Sequence, residues 1–240
     1  LPGTTWKQME IRDYNSASFG LKTDGTLWGW GNGDNGKIGV PSIGNNSRSS
    51  PIQIPGTDWS RVRNGGYGGM ALKTDGTLWM WGDRGQGGLG QNERITYSSP
   101  MQIPGTWSEN FEVAGPAAMA VNTSGELFTW GNNNEGGLGL NQPGSNSIRI
   151  SSPTQIPGTT WSTTAGCCDI TGSAGACMKT DGSAWFWGRN QQGRVGKPSS
   201  NDAYSSPCQV DAPGGRSWSQ IATGNYNSMG VTTDGYFYTW

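Results

Sequence analysis

The sequence contains no histidine, and its charged residues are few and balanced. It has 16 Lys and Arg against 17 Asp and Glu in 240 residues, a formal net charge of −1. Without histidine the chain lacks the commonest general base and the commonest metal ligand. Without a basic block it lacks the electrostatic signature of a protein that binds nucleic acid. We therefore expect no catalytic residues, no metal, no cofactor and no nucleic-acid partner.

Long apolar runs and helical periodicity are missing as well. No apolar run approaches the about 20 residues that a membrane-spanning helix needs, and the opening LPGTTWKQME lacks the charged and apolar segments of a leader peptide. We expect no membrane insertion. Because the sequence begins with Leu1 and not with methionine, it is compatible with a removed leader or an upstream segment. Glycine every few residues would make a helix costly, so an all-β fold is favoured.

The four cysteines, Cys167, Cys168, Cys177 and Cys208, lie in the last third of the chain without metal-ligand spacing. Free cysteine usually behaves as a small hydrophobic residue. We expect reduced and mostly buried cysteines, with a disulfide that involves Cys208 as the alternative.

What the sequence does have is an internal repeat of about fifty residues. A Trp-Gly pair and a Pro-Gly pair that is soon followed by tryptophan recur throughout. The repeats cover approximately residues 1–54, 55–103, 104–156, 157–212 and 213–240, the last incomplete. We expect one domain, or a segment of one, over residues 1–240.

Each repeat reads as short β-strands joined by turns. An Asp-Gly pair between two apolar segments predicts a hairpin with a two-residue type I′ turn. SPIQI predicts a further strand that begins at Pro51, where a missing N–H is tolerated. The predicted turn residues are Asp24, Gly25, Asp75, Gly76, Asp181, Gly182, Asp234 and Gly235, with Ser124-Gly125 in the third repeat.

All thirteen tryptophans occupy three repeated positions, which predicts that they form the structural core of the repeats. Five follow Pro-Gly, five precede the glycine of the Trp-Gly pattern, and three lie two residues before the latter. The predicted core tryptophans are Trp6, Trp28, Trp30, Trp59, Trp79, Trp81, Trp107, Trp130, Trp161, Trp185, Trp187, Trp218 and Trp240. Apolar groups on both faces of a four-stranded sheet indicate the blades of a β-propeller.

The loop after Trp-Gly has constant length and variable interior, so we expect its backbone to be specified. A calcium loop around Asn32 and Asp34 is a minor alternative, since the terminal bidentate Glu is missing and equivalent positions bring in Arg84 and Arg189.

The phrases DGTLWxWGxNxxGxLG and SSPxQIPGTxW resemble the repeat of the regulator of chromosome condensation family, including its tryptophan-rich bacterial and phage members. The resemblance implies a β-propeller, typically of seven blades. Four repeats are complete and the fifth stops at Trp240, so we expect a segment of a larger ring. A closed five-bladed ring is the alternative.

The resemblance implies binding functions. The founding member promotes nucleotide exchange on a small GTPase through histidine and acidic residues, and this chain has no histidine. A secreted bacterial propeller inhibits β-lactamase through loops at one face, and similar tryptophan-rich repeats occur in appendage and fibre proteins of phages and bacteria. The fold by itself does not choose among these functions.

Recognition is expected where the repeats differ, in the segments between the GxLG glycine and SSP. They contain residue types that are enriched at binding hot spots. The alternative, weighted equally, is that these segments are solvated linkers without a binding role. The candidate partner-binding residues are Arg48, Arg94, Tyr97, Arg149 and Tyr204.

These observations predict a non-catalytic propeller that recognises a protein or glycan, as a structural or adhesive module of a virion appendage or fibre. A virion or extracellular location is favoured over a cytoplasmic one. The alternative is a soluble or secreted regulator that modulates a partner enzyme or GTPase.

Overall fold

The computed structural model describes residues 5–12, 16–83, 88–92, 95–142, 144, 148–198 and 202–240. Within these residues the chain forms five antiparallel sheets, and strands that follow each other in sequence pair with each other. We call the sheets blades 1 to 5. The all-β propeller with four-stranded blades that the sequence predicts is confirmed, and blade 5 has three described strands.

The strands of the five blades have the following bounds. Blades 1 and 2 contain β1 (Trp6–Glu10), β2 (Ala17–Lys22), β3 (Leu27–Gly31), β4 (Arg48–Ile54), β5 (Trp59–Asn64), β6 (Gly68–Lys73), β7 (Leu78–Gly82) and β8 (Tyr97–Ile103). Blade 3 contains β9 (Trp107–Ala114), β10 (Ala117–Asn122), β11 (Leu127–Asn132) and β12 (Arg149–Ile156). Blades 4 and 5 contain β13 (Cys168–Ile170), β14 (Ala174–Met178), β15 (Ala184–Arg189), β16 (Ala203–Val210), β17 (Trp218–Thr223), β18 (Ser228–Thr232) and β19 (Phe237–Thr239).

The first strands of successive blades contact each other and lie innermost, while the fourth strands lie outermost. Antiparallel pairing therefore gives the molecule two faces. The turn face holds the hairpin turns between second and third strands and the Pro-Gly connections. The backbone N–H donates to the carbonyl of the turn glycine in the preceding blade, at 2.9–3.1 Å, for Trp59, Trp107 and Trp161. The loop face holds the turns between first and second strands and the long loops between third and fourth strands.

The Asp-Gly hairpins exist, but the predicted type I′ turn is wrong. Gly25 has φ +80°, whereas Asp24 is not among the described residues with positive φ, and type I′ needs positive φ at both positions. Gly25 donates its N–H to the Lys22 carbonyl at 3.1 Å, and Lys22 donates its backbone N–H to the Thr26 carbonyl at 2.9 Å. The two bonds close a three-residue loop. The carboxylate of Asp24 accepts the Thr26 hydroxyl at 2.7 Å and the Thr26 N–H at 2.9 Å. These two bonds hold the pKa of Asp24 below its usual value.

Pro51 lies inside β4 rather than at its start, which corrects the sequence expectation. The pairing of β3 with β4 skips from Gly29–Ile52 to Gly31–Arg48, so Trp30 and Pro51 fall within an irregular stretch of the ladder. The third and fourth strands of blades 2, 3 and 4 show the same shift. A proline is tolerated there because a bulge needs no ladder N–H.

In blades 2 to 5, the tryptophan at the Trp-Gly position connects neighbouring blades. Its indole Nε1 donates to a carbonyl of the preceding blade at 2.9–3.1 Å, from Trp81 to Lys37, Trp130 to Gly88, Trp187 to Gly137 and Trp240 to Arg194. The constant glycine of the loop lies beneath this indole. A Cβ on Gly39, which has φ +83°, would lie 2.6 Å from Trp81 Nε1, so glycine is required by both conformation and space.

The other two tryptophan positions differ in burial. Those that follow Pro-Gly are buried at Trp59, Trp107, Trp161 and Trp218 and half-buried at Trp6. Trp28, Trp79 and Trp185 are half-buried at the outer rim, and each donates its indole N–H to the hydroxyl two residues earlier. Ring pairs such as Trp59–Trp81 and Trp161–Trp187 are 6.3 and 6.5 Å apart between centroids, within the range of favourable edge-to-face contacts.

The expectation that the cysteines are reduced is wrong for one pair. Cys168 and Cys177 face each other across β13 and β14 and form a disulfide. Cys167 and Cys208 are free and half-buried. Cross-strand neighbours on one sheet face are close enough to be bridged, whereas spacing along the sequence does not reveal this register.

Candidate recognition face

The loop face gathers the segments in which the repeats differ. The long loops that follow β3, β7, β11 and β15 all emerge there, beside the short turns between the first and second strands. Adjacent turns touch, since Gly115 donates its N–H to the Gly65 carbonyl at 2.6 Å. The scaffold therefore presents its most variable segments on one side, as a binding surface built on rigid strands would.

The candidate residues form a row along the rim of this face. Arg48, Tyr97 and Arg149 are the first residues of β4, β8 and β12, and Tyr204 is the second residue of β16. Arg48 is exposed, whereas the other three are half-buried. Tyr97 and Tyr204 pack against the hydrophobic clusters of their blades. Each residue belongs to a different blade, so the structure aligns them and does not gather them into one pocket. Arg94 lies outside the described residues.

Two exposed tyrosines on the loop face were not among the candidate residues selected from the sequence. Tyr67 is 44% exposed in the turn between β5 and β6, and Tyr226 is 70% exposed in the turn between β17 and β18. They occupy corresponding turns of blades 2 and 5, in the sequences NGGYGG and TGNYNS. Comparing the repeats turn by turn would have found them, because a large aromatic residue among glycine and asparagine is out of place in a purely structural turn.

A small cavity opens beside Tyr67 on the same face. It has a volume of about 190 Å³ and is lined by Arg12, Ser16, Lys37, Tyr67 and the glycines of two neighbouring turns. Lys37 is buried and Arg12 is exposed. Two cations beside one aromatic ring suit a carboxylate or another acidic group of a ligand.

An ion-pair network, which we call the axial network, joins the innermost strands of blades 1 to 3. Arg63 donates to Glu10 at 2.8 Å and, through Nε, to Glu112 at 2.7 Å. Arg61 lies 3.9 Å from Glu112. Spacing along the sequence does not reveal these ion pairs, because the pairing runs between different repeats. The carboxylates are bridged by a cation, as in a structural ion pair.

Further polar side chains connect the innermost strands of blades 1 and 2, of blades 3 and 4, and of blades 4 and 5. The amide of Gln8 donates to the Val62 carbonyl at 2.7 Å and accepts its N–H at 3.2 Å. Asn110 accepts the N–H of Cys168 at 3.1 Å. Asp169 accepts the N–H of Thr223 at 2.7 Å. The centre of the propeller is therefore held by polar contacts, and its outer layers by aromatic ones.

Burial shifts the protonation of this network. Burial raises the pKa of Glu112 to about 7, against the opposing effect of Arg63 and with a further increase from Asp169. Burial also raises the pKa of Asp169, although backbone N–H groups of Thr223 and Ile170 oppose it. Burial by itself would lower the pKa of Arg63, but Glu112 and Glu10 raise it above its usual value.

A family model now identifies the repeat. The regulator of chromosome condensation (RCC1) repeat matches residues 24–72, 124–169 and 181–231, more than half of the chain. The chain belongs to the RCC1 repeat family. This confirms the resemblance seen in the sequence, while a bacterial or phage origin is not part of the match.

Solved structures show the same fold. Human WBSCR16 superposes with a TM-score of 0.81 at 19% identity over 98% of this chain and 61% of its own. Prp20p from Saccharomyces cerevisiae, described together with its binding to Gsp1p and histones, has a TM-score of 0.79 at 18% identity over 94% of this chain and 56% of its own. Yeast RCC1 (Prp20) bound to Kap60 gives a TM-score of 0.77 at 18% identity, over 94% and 54%. The chain thus spans little more than half the length of these structures. Comparison with curated proteins finds no match.

One RCC1 repeat carries a cation that links two blades at the loop face. Arg194 is buried, and its Nε donates to the Arg189 carbonyl at 2.7 Å. Its other nitrogens donate to Ser173 at 3.0 Å and to the Asn225 carbonyl of blade 5. The first repeat has Lys37 at this position and the third has Gly137, so a cation there is not a constant feature of the RCC1 motif.

Within the described residues, no three Cys, Asp or Glu side chains gather as metal ligands would. In the loop that suggested calcium, the side-chain oxygen of Asn32 accepts the N–H of Asp34 at 2.7 Å. No helix formed by the described residues has the length and apolarity to cross a bilayer.

Proposed function

We propose that the chain is a recognition scaffold without catalytic activity, which binds a protein or glycan partner through its loop face. The observation that carries the proposal is that one face combines the variable loops, the exposed Tyr67 and Tyr226, and the cavity with Arg12 and Lys37. Tyrosine and arginine are enriched at binding hot spots. The absence of histidine from the sequence supports a role without general-base catalysis.

The residues around the cavity indicate which chemical group of a protein partner would bind there. The exposed Arg12 beside the Tyr67 ring favours an acidic side chain or a chain terminus that carries a carboxylate. We therefore propose a partner that places an acidic group between the turns of blades 1 and 2.

The biological setting that we propose is a virion appendage or fibre, with a structural or adhesive role. The tryptophan-rich form of the repeat supports this setting by its resemblance to appendage proteins. Antibody labelling of purified particles by electron microscopy tests it. Label along fibres is the expected result, and label confined to the soluble fraction would contradict it.

A second candidate is a soluble or secreted regulator of an enzyme or GTPase. It is supported by the similarity to Prp20p, a structure described with its binding to Gsp1p. A stoichiometric partner whose reaction rate changes on binding would favour this candidate over the adhesive one.

Point variants test whether the loop face is the binding surface. The immobilised chain is incubated with host extract or host surface glycans, and retention by wild type is compared with retention by the double variant Tyr67→Ala, Tyr226→Ala. Tyr236→Ala is the matched control, because Tyr236 is 53% exposed but lies beside the hairpin turn of the opposite face. We expect the double variant to lose the ligand and the control to keep it. Loss in the control alone would move the binding surface to the turn face.

A further inference from the structure

The outer rim of blade 3 differs from the rim of its neighbours. In blades 1, 2 and 4 a lysine lies over two tryptophan rings, as Lys179 does at 5.1 Å from the Trp161 ring and 4.3 Å from the Trp185 ring. Lys22 and Lys73 make the same pair of contacts in their blades. This cation–π arrangement covers aromatic surface that would otherwise face solvent.

Blade 3 has the aromatic rings without the cation. Asn122 replaces the lysine, and its amide is turned towards the carboxylate of Glu126. Phe128 replaces the rim tryptophan and stands at 81° to Trp107, with 5.5 Å between the ring centroids. Without the lysine, the half-buried Phe128 ring is left uncovered in the third repeat, while Trp107 remains buried.

These two rings line a groove between blades 2 and 3, which we call the rim groove. Its volume is about 480 Å³, within the range of small-molecule sites. Beside the rings, its described lining consists of glycine, proline and neutral polar residues, with no Lys, Arg, Asp or Glu. Asn92, Thr106, Thr123, Ser124 and Ser152 supply amides and hydroxyls around the aromatic floor.

This chemistry matches a neutral sugar ring. A pyranose has one apolar C–H face that can stack on an aromatic ring and a rim of hydroxyls that both donate and accept hydrogen bonds. Serine and threonine hydroxyls and asparagine amides also offer both functions. Among the lining residues that the structure describes, a charged ligand would find no opposite charge and would lose its hydration.

A proline-rich peptide fits the groove less well. Such peptides present carbonyls, and aromatic-lined grooves bind them with polyproline geometry. In the rim groove the indole N–H of Trp107 donates to the Ile103 carbonyl at 3.3 Å, and the amide of Gln91 donates to the Gln102 carbonyl at 3.0 Å. These donors are engaged within the protein.

We propose that the rim groove binds a neutral monosaccharide unit by stacking on Phe128. The rim groove is separate from the loop face, so a negative result for sugar binding would not affect the proposal that the loop face binds a partner. The corresponding groove between blades 3 and 4 has a similar volume of about 490 Å³ but contains Lys179 over its rings. It therefore serves as a neighbouring groove whose aromatic floor is covered.

The test uses methyl glycosides of glucose, galactose, mannose and N-acetylglucosamine, observed by saturation-transfer NMR with the folded chain. We expect saturation of the ring protons of at least one glycoside. Asn122→Lys copies the residue of three sister repeats and should cover the rings, which weakens binding by at least about tenfold. Thr180→Lys adds the same charge at the hairpin of blade 4 outside the groove and should bind like wild type.

A second variant separates binding from folding. Phe128→Leu keeps an apolar side chain and removes the stacking face, and we expect the same loss of about tenfold with an unchanged circular dichroism spectrum. Absence of saturation transfer to wild type, undiminished binding to Asn122→Lys and Phe128→Leu, or equal loss in Thr180→Lys would each overturn the assignment. Binding of a deca-proline peptide that displaces the glycoside signal would assign the groove to peptides and overturn it as well.

Discussion

Among single residues, the tryptophan of the Trp-Gly pair has the most specific surroundings. Trp187 is fully buried, donates to the Gly137 carbonyl of the preceding blade at 2.9 Å and lies over Gly139. Trp185, two residues earlier, is half-buried and bonds only within its own hairpin. Two tryptophans on one strand therefore differ in what they hold together, which the repeat pattern alone did not distinguish.

Replacing each of them with phenylalanine measures this difference. Trp187→Phe removes the buried indole N–H and leaves the Gly137 carbonyl unpaired, so we expect a loss of about 1–3 kcal/mol in the free energy of unfolding. Trp185→Phe should cost less than about 1 kcal/mol, because the third repeat already has Phe128 at this position. Denaturant unfolding of both variants checks the prediction. Equal losses would contradict the distinct roles.

Glu112 makes stability depend on pH in an unusual direction. Burial raises the pKa of Glu112 from 4.5 to about 7 in the folded protein. The folded state therefore keeps this proton to a higher pH than the unfolded state, and stability falls as pH rises from about 4.5 through about 7. The pKa difference, in which the opposing effect of the Arg63 ion pair is already included, corresponds to about 3 kcal/mol.

The variant Glu112→Gln removes the titration and keeps the shape. We predict that its free energy of unfolding changes less between pH 5 and pH 8, an interval that brackets about 7, than that of wild type. A residual decrease from Asp169, whose pKa burial also raises, remains. Glu109→Gln, an exposed residue on the same strand, should retain the wild-type slope. A wild-type stability that rises with pH over this interval would contradict the account.

For the strands and loops, the sequence predicted the hairpins and the outer strands but not their irregularities. The Asp-Gly turn and the alternation of apolar residues are local signals. The bulge at Trp30 and Pro51 depends on how two strands separated by a long loop align, and local sequence does not specify this register. The axial network was missed for a related reason. Glu10 and Arg63 each lie four residues after a repeat tryptophan, and only a comparison across repeats brings them together.

The prolines of the outermost strands have a protective role at the element scale. β4, β8 and β16 are the outermost strands of their sheets, and each contains a proline in its middle, Pro51, Pro100 and Pro207. Proline interrupts edge-to-edge pairing. We predict that replacing these three prolines with valine promotes association of the chain, measured by sedimentation velocity. Ser50→Val, Ser99→Val and Ser206→Val together form the control, which adds apolar surface but keeps the prolines. Equal association of both variants would contradict the role of proline.

At the scale of the whole molecule, stability is distributed unevenly among the blades. In repeat architectures each unit is stabilised mainly by its neighbours. Blade 3 packs between two described blades, whereas blade 5 has three described strands and exposes Met229 at 38% and Phe237 at 61%. We predict that the amide hydrogens of β17–β19 exchange faster than those of β9–β12 in this chain. Hydrogen exchange with mass spectrometry checks this order, and equal protection would contradict it.

Family membership explains the fold, whereas the partner has to be inferred from the surface features of this chain. The fold and the RCC1 repeat were predicted from the sequence because they depend on phrases that recur in every unit. The loop-face cavity and the rim groove depend on the positions where one repeat departs from the others, such as Tyr67 and Asn122. These departures were visible in the sequence, but their chemistry becomes clear only when neighbouring blades are placed side by side.

The central claim is that, in blades 2 to 5, an indole lies over a glycine loop of the preceding blade and holds the two blades together. A double-mutant cycle between Gly39 and Trp81 tests it most directly, since a Cβ at Gly39 would lie 2.6 Å from Trp81 Nε1. Gly39→Ala should lower the free energy of unfolding by about 3 kcal/mol in wild type through steric overlap and unfavourable φ. In the Trp81→Leu background its cost should be smaller by at least about 1 kcal/mol. Additive costs, within about 0.5 kcal/mol, would contradict the claim.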